Sequence, residues 1–297
     1  MARGKEDLST KYRIKNGKKF RLKHIDPGDT SGLGSKEAAA ETLEENAKML
    51  CELQEKLYAQ AEWSLLVIFQ AMDAAGKDAT IKHVLAGVNP QSCAVMSWKK
   101  PSDVELGHDF LWRAQKALPE AGHIGILNRS YYEEVLLVRV HPDYLDNQHL
   151  PKKLITKKLW RERYESINDF ERHLSRNGTV ILKFFLHLSP EEQRSRILDR
   201  IDDKEKNWKF EIDDMAERKL WDSYMTAFEE MVRSTSSAPA PWHVVPADHK
   251  WFTQLVVSSV IIEKLRSLHL HLPKLTAKEK KDMAKARVEL TGRKQSK

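Results

Sequence analysis

Cysteine is almost missing, with only Cys51 and Cys93 in 297 residues. Two thiols build no disulfide framework, and without histidines beside them they make no zinc site, so both read as reduced, packed side chains. Glycine and proline are sparse too, at 12 and 11 residues, which excludes collagen-like and low-complexity chains. Long apolar runs are absent. The longest, near Leu65–Phe69, falls far short of the roughly 20 residues a membrane-crossing helix needs. The segment from Met1 to Arg21 is charged and has no apolar centre of a signal peptide. A cytoplasmic protein without a membrane partner is the expectation.

What is present is a globular composition, 31% charged and 41% hydrophobic, long enough to bury a large core in one enzyme-sized unit. The formal net charge of +7 misleads until it is divided along the chain. Met1–His24 holds nine bases and two acids, Lys274–Lys297 nine and three, and the stretch between them 32 bases and 38 acids. The excess positive charge therefore sits at the two ends of a mildly acidic body. Basic ends can hold a polyanion, but with no interleaved aromatics they also fit solvated tails, and no nucleic-acid partner is expected. The expected organisation is a basic extension over 1–35, a catalytic unit over 36–273 and a basic tail over 274–297.

Within the body, apolar spacing predicts a helix from Lys36 to about Ala61, capped by Ser35. Leu65–Phe69 is apolar at every position, the mark of a central strand in a parallel sheet, and a short loop and a helix to about Ala86 follow it. The same grammar gives strands at Ala94–Trp98, Ile124–Leu127, Thr179–Leu186 and Trp242–Pro246. Between them it predicts helices over Ser102–Leu118, over Tyr131–Arg176 with one break, from Ser189, over Asp213–Val232 and over Trp251–Leu268. This alternation means a three-layer α/β fold with a mostly parallel sheet of about five strands and helices on both faces.

In such sheets ligands gather beyond the carboxyl ends of the strands. After the first strand comes Ala71-Met72-Asp73-Ala74-Ala75-Gly76-Lys77-Asp78. It half-matches a phosphate-binding loop, in which backbone N–H groups and a helix N-terminus cradle phosphates and the lysine reaches their outer oxygens. Ala71 stands where the first glycine belongs and Asp78 where a magnesium-binding hydroxyl belongs. Carboxylates repel phosphate unless a metal lies between, so Asp73 is the candidate for a metal-bridged or proton-accepting role. The competing reading is an ordinary βα turn with an exposed lysine.

After the third strand, Asn128-Arg129-Ser130-Tyr131-Tyr132-Glu133-Glu134 puts an arginine and two acids beside the same edge, with Asn128 a neutral substitute for a metal-binding aspartate. Arg194, Arg196, Arg200, Lys204, Lys206 and Lys209, with Trp208 among them, are either lid cations closing over phosphates or, given the acids between them, a salt-bridged helix face. Asp248 and Lys250 follow the last strand.

Met72-Asp73-Ala74-Ala75-Gly76-Lys77, Asn128-Arg129-Ser130-Tyr131-Tyr132, Trp208-Lys209 and Pro246-Ala247-Asp248-His249-Lys250, in this order, resemble the polyphosphate kinase family 2 over roughly Lys36 to Leu268. The resemblance implies a P-loop kinase fold with a helical lid, here around 200–232, dependence on Mg2+ with Mn2+ as an alternative, and phosphoryl transfer between inorganic polyphosphate and AMP, ADP or ATP. It implies Asp73, Lys77 and Arg129 as catalytic residues, with Asp73 the metal ligand. Ala74, Ala75, Gly76, Asp78, Lys82, Arg194, Lys204, Lys206, Lys209 and Lys250 join Lys77 and Arg129 in holding phosphate. Asn128, Tyr132, Glu133, Trp208 and Asp248 fall to the nucleotide. Asn128 and Glu133 depart from the pattern of many members and resemble the subgroup, often called class III, that accepts both AMP and ADP. Family analogy also implies a homo-oligomer, dimer or tetramer. The rivals are an ATP-dependent nucleoside monophosphate kinase and a non-catalytic polyanion- or RNA-binding protein using the basic ends.

Overall fold

The computed structural model describes residues 7–292. Five parallel strands form one sheet: β1 (Ser64–Gln70), β2 (Cys93–Ser97), β3 (Ile124–Asn128), β4 (Thr179–His187) and β5 (Trp242–Pro246). Their spatial order is β2-β3-β1-β4-β5, so the strand with the unbroken apolar run lies at the centre. All seven residues of β1 are buried, because helices cover both faces of a parallel sheet. Edge strand β2 is different: Val95 and Met96 stand exposed.

The longer helices are α1 (Lys36–Gln60), α2 (Lys77–Val84), α3 (Leu159–Arg176), α4 (Pro190–Asp202), α5 (Asp213–Lys219), α6 (Trp221–Thr235), α7 (Lys250–Arg266) and α8 (Ala277–Thr291), with one-turn and 3-10 pieces before and between them. One apolar core joins α1 and α7 to one face of the sheet, through Leu43, Leu53, Leu57, Val256 and Ile261. A second joins α3 and α6 to the other face, through Ile167, Phe228 and Met231.

The segment before α1 packs on the body. Tyr12, Phe20 and Leu22 are buried, and the N–H of Ile14 donates to Trp242 O while that of Val244 donates to Tyr12 O, covering the β5 edge. Enough apolar side chains sit among its bases to fasten it, so the described part is no solvated tail. At the other end, α8 has no buried residue.

Three expected helices are corrected. Ser102–Leu118 is not continuous but two single turns, Asp103–Leu106 and Trp112–Gln115. His108 Nδ1 bonds Val104 O, and Asp109 accepts from the N–H of Leu111, so local side-chain bonds replace the helical ladder. Tyr131–Arg176 is continuously helical only from Leu159; before it lie 3-10 turns and the single helical turn Leu137–Val140, with Pro142 and Pro151 at turn starts where no N–H is needed. The region from Asp213 breaks at Leu220 into α5 and α6, and α6 buries Tyr224, Phe228, Met231 and Val232.

Candidate functional site

Register decides where the chemistry meets. Phe69 of β1 pairs with Asn128 of β3, so the residues that follow the two strands leave the sheet side by side. There the Arg129 Nη2 donates to Asp73 Oδ1 at 2.5 Å, and Arg129 Nη1 lies 3.9 Å from Glu133. The loop between β1 and α2 is coiled tightly. Ala74 (φ 64°) and Gly76 (φ 95°) are left-handed, as is Arg129 (φ 63°) across from them. Gly76 adopts this shape freely, whereas a residue with a Cβ pays on the order of 1–3 kcal/mol, a strain that concentrates at functional sites.

Side chains hold the loop's carbonyls. Lys77 Nζ donates to Ala71 O (3.1 Å) and Met72 O (3.3 Å), Gln193 Nε2 to Asp73 O (3.1 Å) and Arg196 Nη1 to Ala74 O (3.1 Å). Four consecutive carbonyls are thus bound by side chains. The first turn of α2, whose N–H groups have no partner within the helix, follows directly.

Electrostatics follow from burial and neighbours. Burial pushes the Asp73 carboxyl up, but Lys77 and Arg129 outweigh it and leave the group below its usual value, ionised at neutral pH. Burial pulls Lys77 down against the opposing pull of Asp73. Arg129 is also desolvated, yet Glu133 and Asp73 raise it, so its charge is fixed. Asp214 is pushed up to about 6, by burial first and then by Asp73.

Two cavities adjoin this cluster. One, of about 340 Å3, is basic: Lys77, Arg129, Arg196, Arg200, Lys206, Lys209 and Lys250 line it, with the 73–79 loop, Asn128 and Asp199. The other, of about 180 Å3, is acidic and apolar: Glu133, Glu211, Asp213, Asp214 and Glu217 share it with Leu136, Leu137, Tyr224 and Phe228. Asp73 and Arg129 line both.

Of the residues chosen from sequence, Asp73, Ala74, Ala75, Gly76, Lys77, Asp78, Asn128, Arg129, Lys206, Lys209 and Lys250 border the basic cavity, and Glu133 borders the acidic one. Asn128 Nδ2 donates to Asp78 Oδ1 at 2.7 Å, which ties the end of β3 to the start of α2.

The others lie elsewhere. Tyr132 is a correction: it is fully buried, and its hydroxyl donates to Glu171 (2.7 Å) and accepts from Lys183 (2.8 Å), so it is a core residue that no nucleotide reaches. The Asp248 carboxylate accepts from the N–H of Ser189 at 2.8 Å, and so fixes the turn into α4 and borders neither cavity. Lys82, Arg194 and Lys204 are exposed and line neither cavity. Trp208 is 78% exposed, with Lys209 over its ring.

Sequence reasoning missed the acidic wall supplied by α5, and Gln193, which carries no charge to mark it. It also valued Arg196 only as one cation in a series. That guanidinium is 5% exposed and donates to Ala74 O, Ala247 O, Asp248 O and Glu192, so it clamps backbone.

The family model described as polyphosphate kinase 2 matches residues 33–272. The chain belongs to the polyphosphate kinase 2 family. An ADP-polyphosphate phosphotransferase of Rhodopseudomonas palustris is 52% identical over 257 residues, covering 86% of this chain and 89% of that one. An AMP/ADP-polyphosphate phosphotransferase of Meiothermus ruber is 45% identical over 272 residues, 91% and 98% of the two chains. The crystal structure of polyphosphate kinase 2 from Arthrobacter aurescens TC1 superposes with a TM-score of 0.88 at 37% identity, over 97% and 98% of the two chains. With its all-parallel sheet, this member of the polyphosphate kinase 2 family has the P-loop kinase-like α/β fold.

Proposed function

We propose that the protein transfers the terminal phosphoryl group of inorganic polyphosphate to AMP and ADP, giving ADP and ATP, and that it runs reversibly. The observation that carries this reading is the position of the Asp73–Arg129 pair between a basic cavity and an acidic, partly apolar one. A polyphosphate chain is a flexible polyanion, and seven lysine and arginine side chains line the first cavity. A nucleotide has an apolar, aromatic base and a ribose with hydroxyl donors. The second cavity offers Tyr224, Phe228 and two leucines to the base and carboxylate acceptors to the hydroxyls.

Phosphoryl transfer asks little covalent work of a protein; it needs alignment and a field that stabilises charge on the transferred oxygens. Lys77 and Arg129, which both act on Asp73 and line the basic cavity, supply that field. Asp73, held by Arg129 through one oxygen, orients the attacking phosphate of the acceptor. Asp73 would also hold Mg2+, or Mn2+, a hard cation that needs only one or two carboxylates besides phosphate and water; bound there, the ion would neutralise charge on the phosphates. Lys206 and Lys209, on the exposed stretch between α4 and α5, screen the donor from water. No phosphoenzyme forms.

The same proposal makes the working unit a homo-oligomer, supported by the exposed apolar side chains of edge strand β2. It places the protein in the cytoplasm, in keeping with its two free thiols; no described helix is long and apolar enough to cross a membrane.

The test is a donor swap. Purified protein with Mg2+ and AMP receives either long-chain polyphosphate or ATP, and nucleotides are separated by chromatography. ADP and then ATP forming from polyphosphate alone is the expected result. Product with ATP only would make the protein a nucleoside monophosphate kinase, and no product with either donor would overturn both readings.

A further inference from the structure

Helix α5 faces two ways. Asp213, Asp214 and Glu217 line the acidic cavity, while Arg218 Nη1 donates to Gln193 Oε1 at 2.7 Å and to Pro190 O at 2.8 Å. Gln193 is 1% exposed, and its amide N–H continues the chain to Asp73 O at 3.1 Å. A single buried amide thus joins the wall of one cavity to the backbone of the residue whose side chain borders both.

Its chemistry fits that place. A primary amide is both donor and acceptor, so with one contact to a guanidinium and one to a carbonyl it is oriented without ambiguity. Buried bonds to a charged group are among the stronger ones, and leaving either partner unpaired is costly. Arg196, three residues on, makes the equivalent bond to Ala74 O but runs to Ala247 and Asp248, beside α7. The consecutive carbonyls of Asp73 and Ala74 are therefore held by two different side chains of α4, and of these two ties the one through Gln193 leads to α5.

We propose that Gln193 is a positioning residue that ties α5, through Arg218, to the phosphate-binding loop, so that the seat of the acceptor-cavity wall fixes the aim of Asp73. The loop is strained at Ala74, and a strained segment keeps its shape only while its surroundings impose it. The tie supplies part of that constraint, and it transmits any displacement of α5 to the reacting carboxylate. The inference rests on the reading that Asp73 acts in phosphoryl transfer.

The test is a double-mutant cycle in the full-length protein, with Gln193→Leu, Arg218→Met and the pair. It reads kcat, the KM for polyphosphate and the KM for AMP separately, together with amide hydrogen exchange over residues 71–79. Each single variant is expected to lower kcat about 10- to 100-fold, as small misplacements of reacting groups do, with little change in either KM. Each should also speed exchange in the loop, and the double variant should be no worse than the worse single one. Gln193→Glu keeps an acceptor for Arg218 but lacks the N–H for Asp73, so it should behave as Gln193→Leu and takes its place if the leucine variant does not fold. Additive losses in the double variant, an effect on KM alone, or unchanged loop exchange would each overturn the proposal. A parent protein inactive with polyphosphate would instead refute the functional reading, and loop exchange alone would then decide the coupling.

Discussion

Asp73 and Arg129, joined by a 2.5 Å ion pair, border the basic cavity and the acidic one alike. Reaction at a boundary needs few groups, but each must be in place, and the first prediction follows. Asp73→Asn, Lys77→Ala and Arg129→Ala should each lower kcat by about 100-fold or more, the scale of removing one preorganised electrostatic contact. Far-ultraviolet circular dichroism should be unchanged. Turnover at parental rates in any of them would remove that residue from the site.

The cations on the exposed stretch should act on binding. Lys206→Ala with Lys209→Ala should raise the KM for polyphosphate several-fold and flatten its salt dependence, because exposed charges are screened by ions. The KM for AMP should stay constant. Equal changes in both constants would refute a role confined to the donor.

Tyr132 should matter for stability and leave catalysis alone. Lys183 and Glu171 form a fully buried pair at 2.6 Å that shares the Tyr132 hydroxyl. Lys183→Met strands a buried carboxylate and should cost about 3–5 kcal/mol in denaturant unfolding, whereas adding Glu171→Leu should recover much of the loss. Tyr132→Phe should cost about 1–3 kcal/mol and leave the KM for AMP unchanged; a raised KM would return the residue to the nucleotide.

Two buried histidines set the acid limit. Burial lowers His187 and His243 from the usual 6.5 to about 4. Between those values the unfolded chain binds protons that the folded one refuses. Their contribution is therefore complete above pH 6.5 and lost progressively as the pH falls toward 4. His243→Gln should move the acid-unfolding midpoint to lower pH, followed by tryptophan fluorescence.

Asp214 has the opposite sign. Its folded value near 6 lies above the usual 3.8, so the folded state favours the protonated form and loses stability as the pH rises between the two. Relative to the parent, Asp214→Asn should gain in Tm from pH 4 to pH 7.5. A Tm difference independent of pH would contradict the burial of that carboxyl.

The strands were legible because burial on both faces leaves a local record: Leu65 to Phe69 is apolar at every position, and the centre of a sheet covered on both faces hides all five side chains. Asp73, Lys77 and Arg129 were legible for a related reason, since a strand end, a tight turn and a helix start are encoded by neighbouring residues. The helices over Ser102–Leu118 and Tyr131–Arg176 were misread where side chains such as Asp109 bond the backbone locally and where proline removes a donor. Helical spacing records neither effect.

By itself, then, the sequence determined the α/β alternation, the tight turn between β1 and α2 and the cationic character of the residues around it, all properties of residues close together in the chain. Only the tertiary structure decided that Tyr132 lies in the core, that α5 walls a second cavity, and that Gln193, 120 positions from Asp73, holds its carbonyl. The physical reason is range. A strand or a turn follows from interactions between neighbours, whereas the partner of a buried polar group is chosen by packing that brings distant segments together, and a neutral glutamine carries no mark of where it will lie.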